Sequence, residues 1–194
     1  MRIIAGKCKA KRIEGPKTTK TRPTLDRVKE ALFSIISNDI KDADVLDLFS
    51  GTGNLAIEAV SRGAKFAWLN DMDSTSISTI LTNISLTNLS EYVKITKKDY
   101  IKCLRQINSD EMKFDIIFLD PPYDSMYAIN TLKIISDSKE EYLKKEGIIV
   151  YETDKNFVNK IQKKDPNIFN SFENLECFDE RSYGGVVLKI YRWR

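Results

Sequence analysis

The apolar positions change their period twice along this 194-residue chain. Arg2 to Gly6 and Lys11 to Gly15 are short β-prone runs on either side of a turn, and Gly15-Pro16, followed by Lys, Thr and Arg, reads as an irregular loop. From Thr24, the residues Leu25, Val28, Ala31, Leu32, Ile35 and Ile36 recur at helical spacing, with Asp26 in the first turn. Beyond Lys41 the pattern alternates. Strands are predicted at Val45 to Phe49, Phe66 to Asn70, Val93 to Thr96, Phe114 to Leu119 and Gly147 to Tyr151, with helical stretches near 54–62, 74–87, 99–106 and 126–138 between them. Strands separated by helices imply right-handed crossovers and a mainly parallel α/β sheet covered on both faces. Leu175 to Phe178 and Val186 to Trp193, around Gly184-Gly185, predict an antiparallel hairpin added to the sheet edge. The expected organisation is a basic N-terminal hairpin or arm over 1–23 and one folded domain over 24–194.

Composition narrows the chemistry. There is no histidine, which removes Ser-His-Asp and Cys-His nucleophiles and every His-ligated metal site. Cys8, Cys103 and Cys177 are odd in number, far apart and form no CxxC pair, so they are read as small apolar fillers rather than a disulfide framework or a zinc site. No metal is expected. No apolar run reaches the roughly 18 residues that span a bilayer, and Met1 to Lys7 lacks a signal-peptide core, so a cytoplasmic location is expected. Nothing calls for an obligate partner, and a monomer is expected. The net charge of +3 hides an asymmetry: residues 1–30 hold ten Lys or Arg against Glu14, Asp26 and Glu30, a net of +7, which leaves −4 for the rest. A localised basic segment suits phosphate contact, because Lys and Arg displace condensed counterions; a solvated basic tail is the alternative.

The first predicted strand runs into Asp47-Leu48-Phe49-Ser50-Gly51-Thr52-Gly53-Asn54 and then a helix. Glycines at 51 and 53 let the backbone pass close to a ligand where doubly wound sheets bind nucleotides. Gly51 to Ala56 also fits the G-x-G-x-x-G/A dinucleotide pattern, which taken alone is weak. Asp47, just before the turn, would repel a pyrophosphate and attract an ammonium or sulfonium, which favours S-adenosylmethionine. Asp71, with Met72 beside it, closes the second strand where a carboxylate accepts hydrogen bonds from ribose hydroxyls. Asp99 follows the third strand, placed for an adenine amino group. Asp71 and Asp99 each have a plainer alternative as charges or caps at the helix starts that follow.

Asp120-Pro121-Pro122-Tyr123 lies directly after the fourth predicted strand, at the same edge of the sheet. Two prolines hold an extended turn whose carbonyls are expected to face the cleft. An exocyclic base amine is a poor nucleophile because its lone pair is delocalised into the ring. Accepting its N–H groups, one on the Asp120 carboxylate and one on a proline carbonyl, favours pyramidal nitrogen and aims the lone pair at a methyl sulfonium. Tyr123 can stack on the flipped base. Guanine N2 and adenine N6 both satisfy this chemistry.

With these motifs in place, the chain resembles the bacterial 16S ribosomal RNA (guanine-966 N2)-methyltransferase family. The resemblance is carried by Arg2 to Lys7, Arg22-Pro23-Thr24, Arg27 to Phe33, Asp47 to Gly53, Glu58 to Ala64, the Asp120 to Tyr123 tetrad and Tyr183-Gly184. It implies a Rossmann-like, seven-stranded class I methyltransferase sheet, mostly parallel with a C-terminal antiparallel hairpin and a small N-terminal hairpin. It implies S-adenosylmethionine as cofactor and guanine N2 in 16S rRNA of the small ribosomal subunit as target. It further implies that Arg2, Lys7, Lys9, Arg12 and Arg22 grip the RNA backbone. Asp71 stands where the family usually has Glu. Lys29 stands where it commonly has Arg, and an ammonium lacks bidentate phosphate geometry. Glu152, after the fifth strand, is either a pocket residue or a surface charge. An adenine-N6 methyltransferase would share the tetrad, but the chain shows no separate target-recognition domain. A non-catalytic ribosome-assembly factor would have been free to lose the tetrad.

Overall fold

The computed structural model describes residues 1–16, 26–122, 124–138 and 140–194. Seven strands form one sheet: β1 (Asp44–Asp47), β2 (Phe66–Asp71), β3 (Val93–Lys97), β4 (Phe114–Leu119), β5 (Leu143–Asp154), β6 (Leu175–Tyr183) and β7 (Val186–Trp193). Their spatial order is β3-β2-β1-β4-β5-β7-β6. The first five are mutually parallel, β7 runs antiparallel to β5, and β6 closes the hairpin. This is the expected Rossmann-like methyltransferase sheet.

The helices are α1 (Asp26–Ile35), α2 (Asn54–Ser61), α3 (Ser74–Thr87), α4 (Tyr100–Ser109), α5 (Tyr127–Asp137) and α6 (Lys155–Gln162). Central strands are buried on both sides and read as apolar runs because helices cover each face. On one face α1, α2 and α3 pack against Val45, Ala67, Phe118 and Val150; on the other, α4, α5 and α6 cover Leu46, Trp68, Ile117 and Ile149.

Several elements differ from the sequence reading, among them β5, which begins at Leu143 and ends at Asp154 rather than running from Gly147 to Tyr151. α6 was not expected; it spans only two turns, started by Asp154, whose carboxylate accepts from the Asn156 and Phe157 amides and turns Phe157 and Val158 inward. β6 runs five residues past Phe178, because its charged positions pair across the hairpin, Glu176 with Arg192 and Glu180 with Lys189. In α1 the buried face is Val28, Lys29, Leu32 and Phe33, whereas Ala31 and Ile35 are only half-buried, so the helix is rotated from the predicted stripe.

The N-terminal segment forms a single antiparallel bridge, Arg2 to Arg12, rather than a full hairpin. Ile3, Cys8 and Ile13 enter the same core as α1, α2 and α3. At Gly6 an added Cβ would lie 1.8 Å from the Ser61 carbonyl oxygen, so the segment lies flat on the end of α2.

Candidate active site

β1 ends at Asp47 and the chain turns at once. The Ser50 hydroxyl donates to the Asp47 carbonyl at 2.7 Å, the Ser50 amide to the Asn70 carbonyl at 2.9 Å, and the Gly53 amide to the Ser50 carbonyl at 2.7 Å. Gly53 sits at φ +78°, with the Leu69 side chain 3.0 Å from where a Cβ would be, so both strain and space select glycine. Asn54 then opens α2.

Asp47 is 1% exposed, and its carboxylate accepts from the Ala56 amide at 3.3 Å. Burial first, then the charge of Asp120, push its carboxyl up to about 8. An ammonium beside it would favour the charged form and bring it down again. Asp71 accepts from the Gly51 amide at 2.8 Å and the Asp73 amide at 2.9 Å, so it pins the glycine loop; Asp73 is the cap of α3. Met72, next to it, is 64% exposed. Asp99 caps α4 through the Ile101 amide at 3.0 Å, the plainer of its two readings, with Asp99 still at the carboxyl edge.

Asn70, and the Tyr100 and Tyr127 neighbours of the expected Phe49, were missed in the sequence. The Asn70 amide donates to the Leu48 and Lys98 carbonyls and accepts from the Thr96 hydroxyl, tying the ends of β1, β2 and β3 together. Phe49, Tyr100 and Tyr127 form an aromatic cluster, with ring centroids 5.7 Å (Phe49–Tyr100), 6.1 Å (Phe49–Tyr127) and 5.1 Å (Tyr100–Tyr127) apart. Tyr100 follows Asp99 directly, and an aromatic next to a candidate ligand acid was the available signal.

Asp120 and Pro121 follow β4 beside this loop. Asp47 pairs with Phe118 across β1 and β4, and Leu119 pairs with Tyr151 across β4 and β5. Neighbouring strands therefore bring Asp47, Asp120 and Glu152 to one edge. Burial, then the charge of Glu152, raise the Asp120 carboxyl well above the ordinary range. Glu152 is 2% exposed, which makes it a buried group and not a surface charge. The Pro122 carbonyl already accepts from the Ser125 amide at 3.3 Å, whereas no backbone amide among the described residues donates to the Pro121 carbonyl, which makes Pro121 the better candidate acceptor. Tyr123 lies outside the described residues.

Arg2, Lys7, Lys9 and Arg12 are all exposed. Arg2 pairs with Asp26 at 3.0 Å, and the Lys7 ammonium lies 3.4 Å from the centre of the Tyr92 ring. Arg22 lies outside the described residues. Lys29 is fully buried, 3.1 Å from Glu58, and so is no phosphate contact at the surface.

Residues 1–192 match the model of the family described as "Conserved hypothetical protein 95". The chain belongs to this family. Its relatives include the Bacillus subtilis protein named "Putative rRNA methyltransferase YlbH", 35% identical over the whole of both chains. The Haemophilus influenzae "Ribosomal RNA small subunit methyltransferase D" is 32% identical over 99% of this chain and 93% of its own. Among solved structures, "Putative methyltransferase yhhF from Escherichia coli" superposes with a TM-score of 0.79 at 26% identity, covering 100% of this chain and 98% of that one. This family fold suits S-adenosylmethionine at the site described. The glycine turn leaves no side chain at Gly53, Asp47 and Asp71 supply carboxylates on either side of it, and Phe49 and Tyr100 offer ring faces. No helix among the described residues is long and apolar enough to cross a membrane.

Proposed function

We propose that this chain transfers a methyl group from S-adenosylmethionine to the exocyclic N2 of a guanine in 16S rRNA of the small ribosomal subunit. The observation that carries the reading is the placement of Asp120-Pro121 at the end of β4, one strand away from the glycine loop on β1, in a chain related over its whole length to rRNA methyltransferases. The cofactor supplies an electrophilic methyl group on a sulfonium. Asp47 faces its amino-acid tail, Asp71 accepts from its ribose, and the aromatic cluster with Asp99 bounds its adenine. Asp120 and the Pro121 carbonyl accept the two N–H groups of the base, which localises the nitrogen lone pair toward the methyl group. Asp120 also takes the proton that the alkylated nitrogen must shed, a role suited to a carboxyl held above the usual range. The exposed Arg2, Lys7, Lys9 and Arg12 contact RNA phosphates from the N-terminal segment, with Arg22 completing the grip. The enzyme works as a monomer in the cytoplasm, where ribosomal subunits are built.

The Asp120→Ala variant tests the assignment. Transfer should fall by a factor of about 10² to 10⁴, the range of a lost proton acceptor, while S-adenosylmethionine affinity measured by calorimetry stays within a few-fold. Loss of affinity with retained turnover at saturating cofactor would show that Asp120 serves the cofactor and not the base.

A further inference from the structure

Two buried side chains hold the N-terminal segment and the glycine loop at the same time. The Lys29 ammonium donates to the Arg2 carbonyl at 2.7 Å and to Asn54 Oδ1 at 2.8 Å, and lies 3.1 Å from Glu58 Oε2. Glu58 in turn accepts from the Ile4 amide at 2.8 Å and the Ala5 amide at 3.0 Å. Across the loop, Asn83 Oδ1 accepts from the Glu14 amide at 2.7 Å, while its amide nitrogen donates to the Glu14 carbonyl at 3.1 Å and the Thr52 carbonyl at 2.9 Å. Lys29 and Asn83 are both fully buried.

An ammonium has three protons, and Lys29 spends one on the segment, one on the loop and one on Glu58. Asn83 likewise commits both N–H groups and its oxygen. Neither side chain can shift toward one side without breaking a bond on the other, and an unmet buried partner is costly. The two bridges reach opposite ends of the segment, near Arg2 and at Glu14, and two points at the glycine turn, Thr52 within it and Asn54 where it passes into α2. The exposed faces of the segment carry Arg2, Lys7, Lys9 and Arg12, while Ile3, Cys8 and Ile13 are fixed in the core.

We propose that Lys29 and Asn83 are positioning residues that couple these two surfaces, so that RNA on the N-terminal segment tightens the glycine loop around the cofactor and cofactor tightens the segment on RNA. The inference rests on the RNA and cofactor reading given above. Coupling of this kind is reciprocal: each ligand must raise the affinity of the other by the same factor.

Equilibrium binding of S-adenosylhomocysteine, which cannot react, with and without a transcript of small-subunit rRNA, measures that factor. The wild type should show about five-fold or more in both directions. Lys29→Met and Asn83→Leu should each bring it close to one, and Lys29→Arg, which restores a cation with several donors, should recover it. A merely structural role would lower both affinities and leave their ratio unchanged. Asn83→Leu introduces no stranded charge, so it carries the test if Lys29→Met fails to fold in thermal unfolding. A wild type that binds both ligands with a factor of one, or a factor that survives both substitutions, overturns the coupling alone. A wild type that does not bind the transcript in a separate titration overturns the RNA reading, and the coupling with it.

Discussion

Asp47 is held at the end of β1, almost wholly shielded from solvent, and its carboxyl is raised to about 8 by burial and by Asp120. The folded chain therefore binds this proton more tightly than the unfolded chain. Its contribution to stability is fully present below the ordinary carboxylate range and is lost as pH rises to about 8. A cationic ligand has the opposite preference, since it favours the ionised form. S-adenosylmethionine affinity should therefore increase as pH rises toward about 8 and level off above it, with proton release on binding below that value. Asp47→Asn should abolish this dependence, weaken cofactor binding and raise the melting temperature on the alkaline side. Calorimetry in two buffers of different ionisation enthalpy reads the released proton, and an affinity independent of pH would remove Asp47 from the ligand. At this scale much of the site was legible. Asp47, Asp71 and Asp120 announce themselves by standing at strand ends, Asp47 just ahead of the glycine turn and Asp120 directly before Pro121. Lys29 did not, because a lysine is ordinarily exposed; yet its spacing of three and four residues from Leu32 and Phe33 already puts it on the buried stripe.

Among the elements, the turn from β1 to α2 is closely constrained beside the site. A side chain at Gly53 would meet Leu69 at 3.0 Å on a backbone of φ +78°. Gly53→Ala should cost about 1–3 kcal/mol of stability, the range for a strained backbone position, and should lower cofactor affinity more than it lowers turnover at saturation. Denaturant unfolding and KM measured separately from kcat check the two parts; unchanged affinity would mean that the loop does not approach the ligand. The parallel strands were legible because burial on both faces makes them continuous apolar runs. The end of β6 and the short α6 were not, since the first depends on pairing with β7 and the second on one capping carboxylate, Asp154. Which proline carbonyl is better placed to accept depends on a contact the sequence does not announce, the Ser125 amide reaching back to Pro122.

For the whole molecule, the described part of the basic N-terminal segment becomes a surface. Arg2, Lys7, Lys9 and Arg12 lie exposed on a segment whose Ile3, Cys8 and Ile13 are sunk in the core, so Lys7, Lys9 and Arg12 are displayed on a fixed support. Replacing all three with Ala should weaken RNA binding and reduce the slope of log affinity against log salt by about 0.7–0.9 for each phosphate that is no longer neutralised. A slope equal to that of the wild type would take this segment out of the interface. On this reading the molecule has two ligand surfaces joined through Lys29 and Asn83, with phosphates held along the N-terminal segment and cofactor and base at the carboxyl edge of the sheet.

The central claim is that the edge formed by β1 and β4 methylates guanine N2 in small-subunit rRNA. Labelled methyl transfer from S-adenosylmethionine to small ribosomal subunits from cells lacking this protein, followed by nucleoside analysis, tests it most directly. The label should appear in N2-methylguanosine and should be lost with Asp120→Ala. Label in N6-methyladenosine would contradict the guanine assignment, and no label in any RNA form would contradict methyl transfer to rRNA.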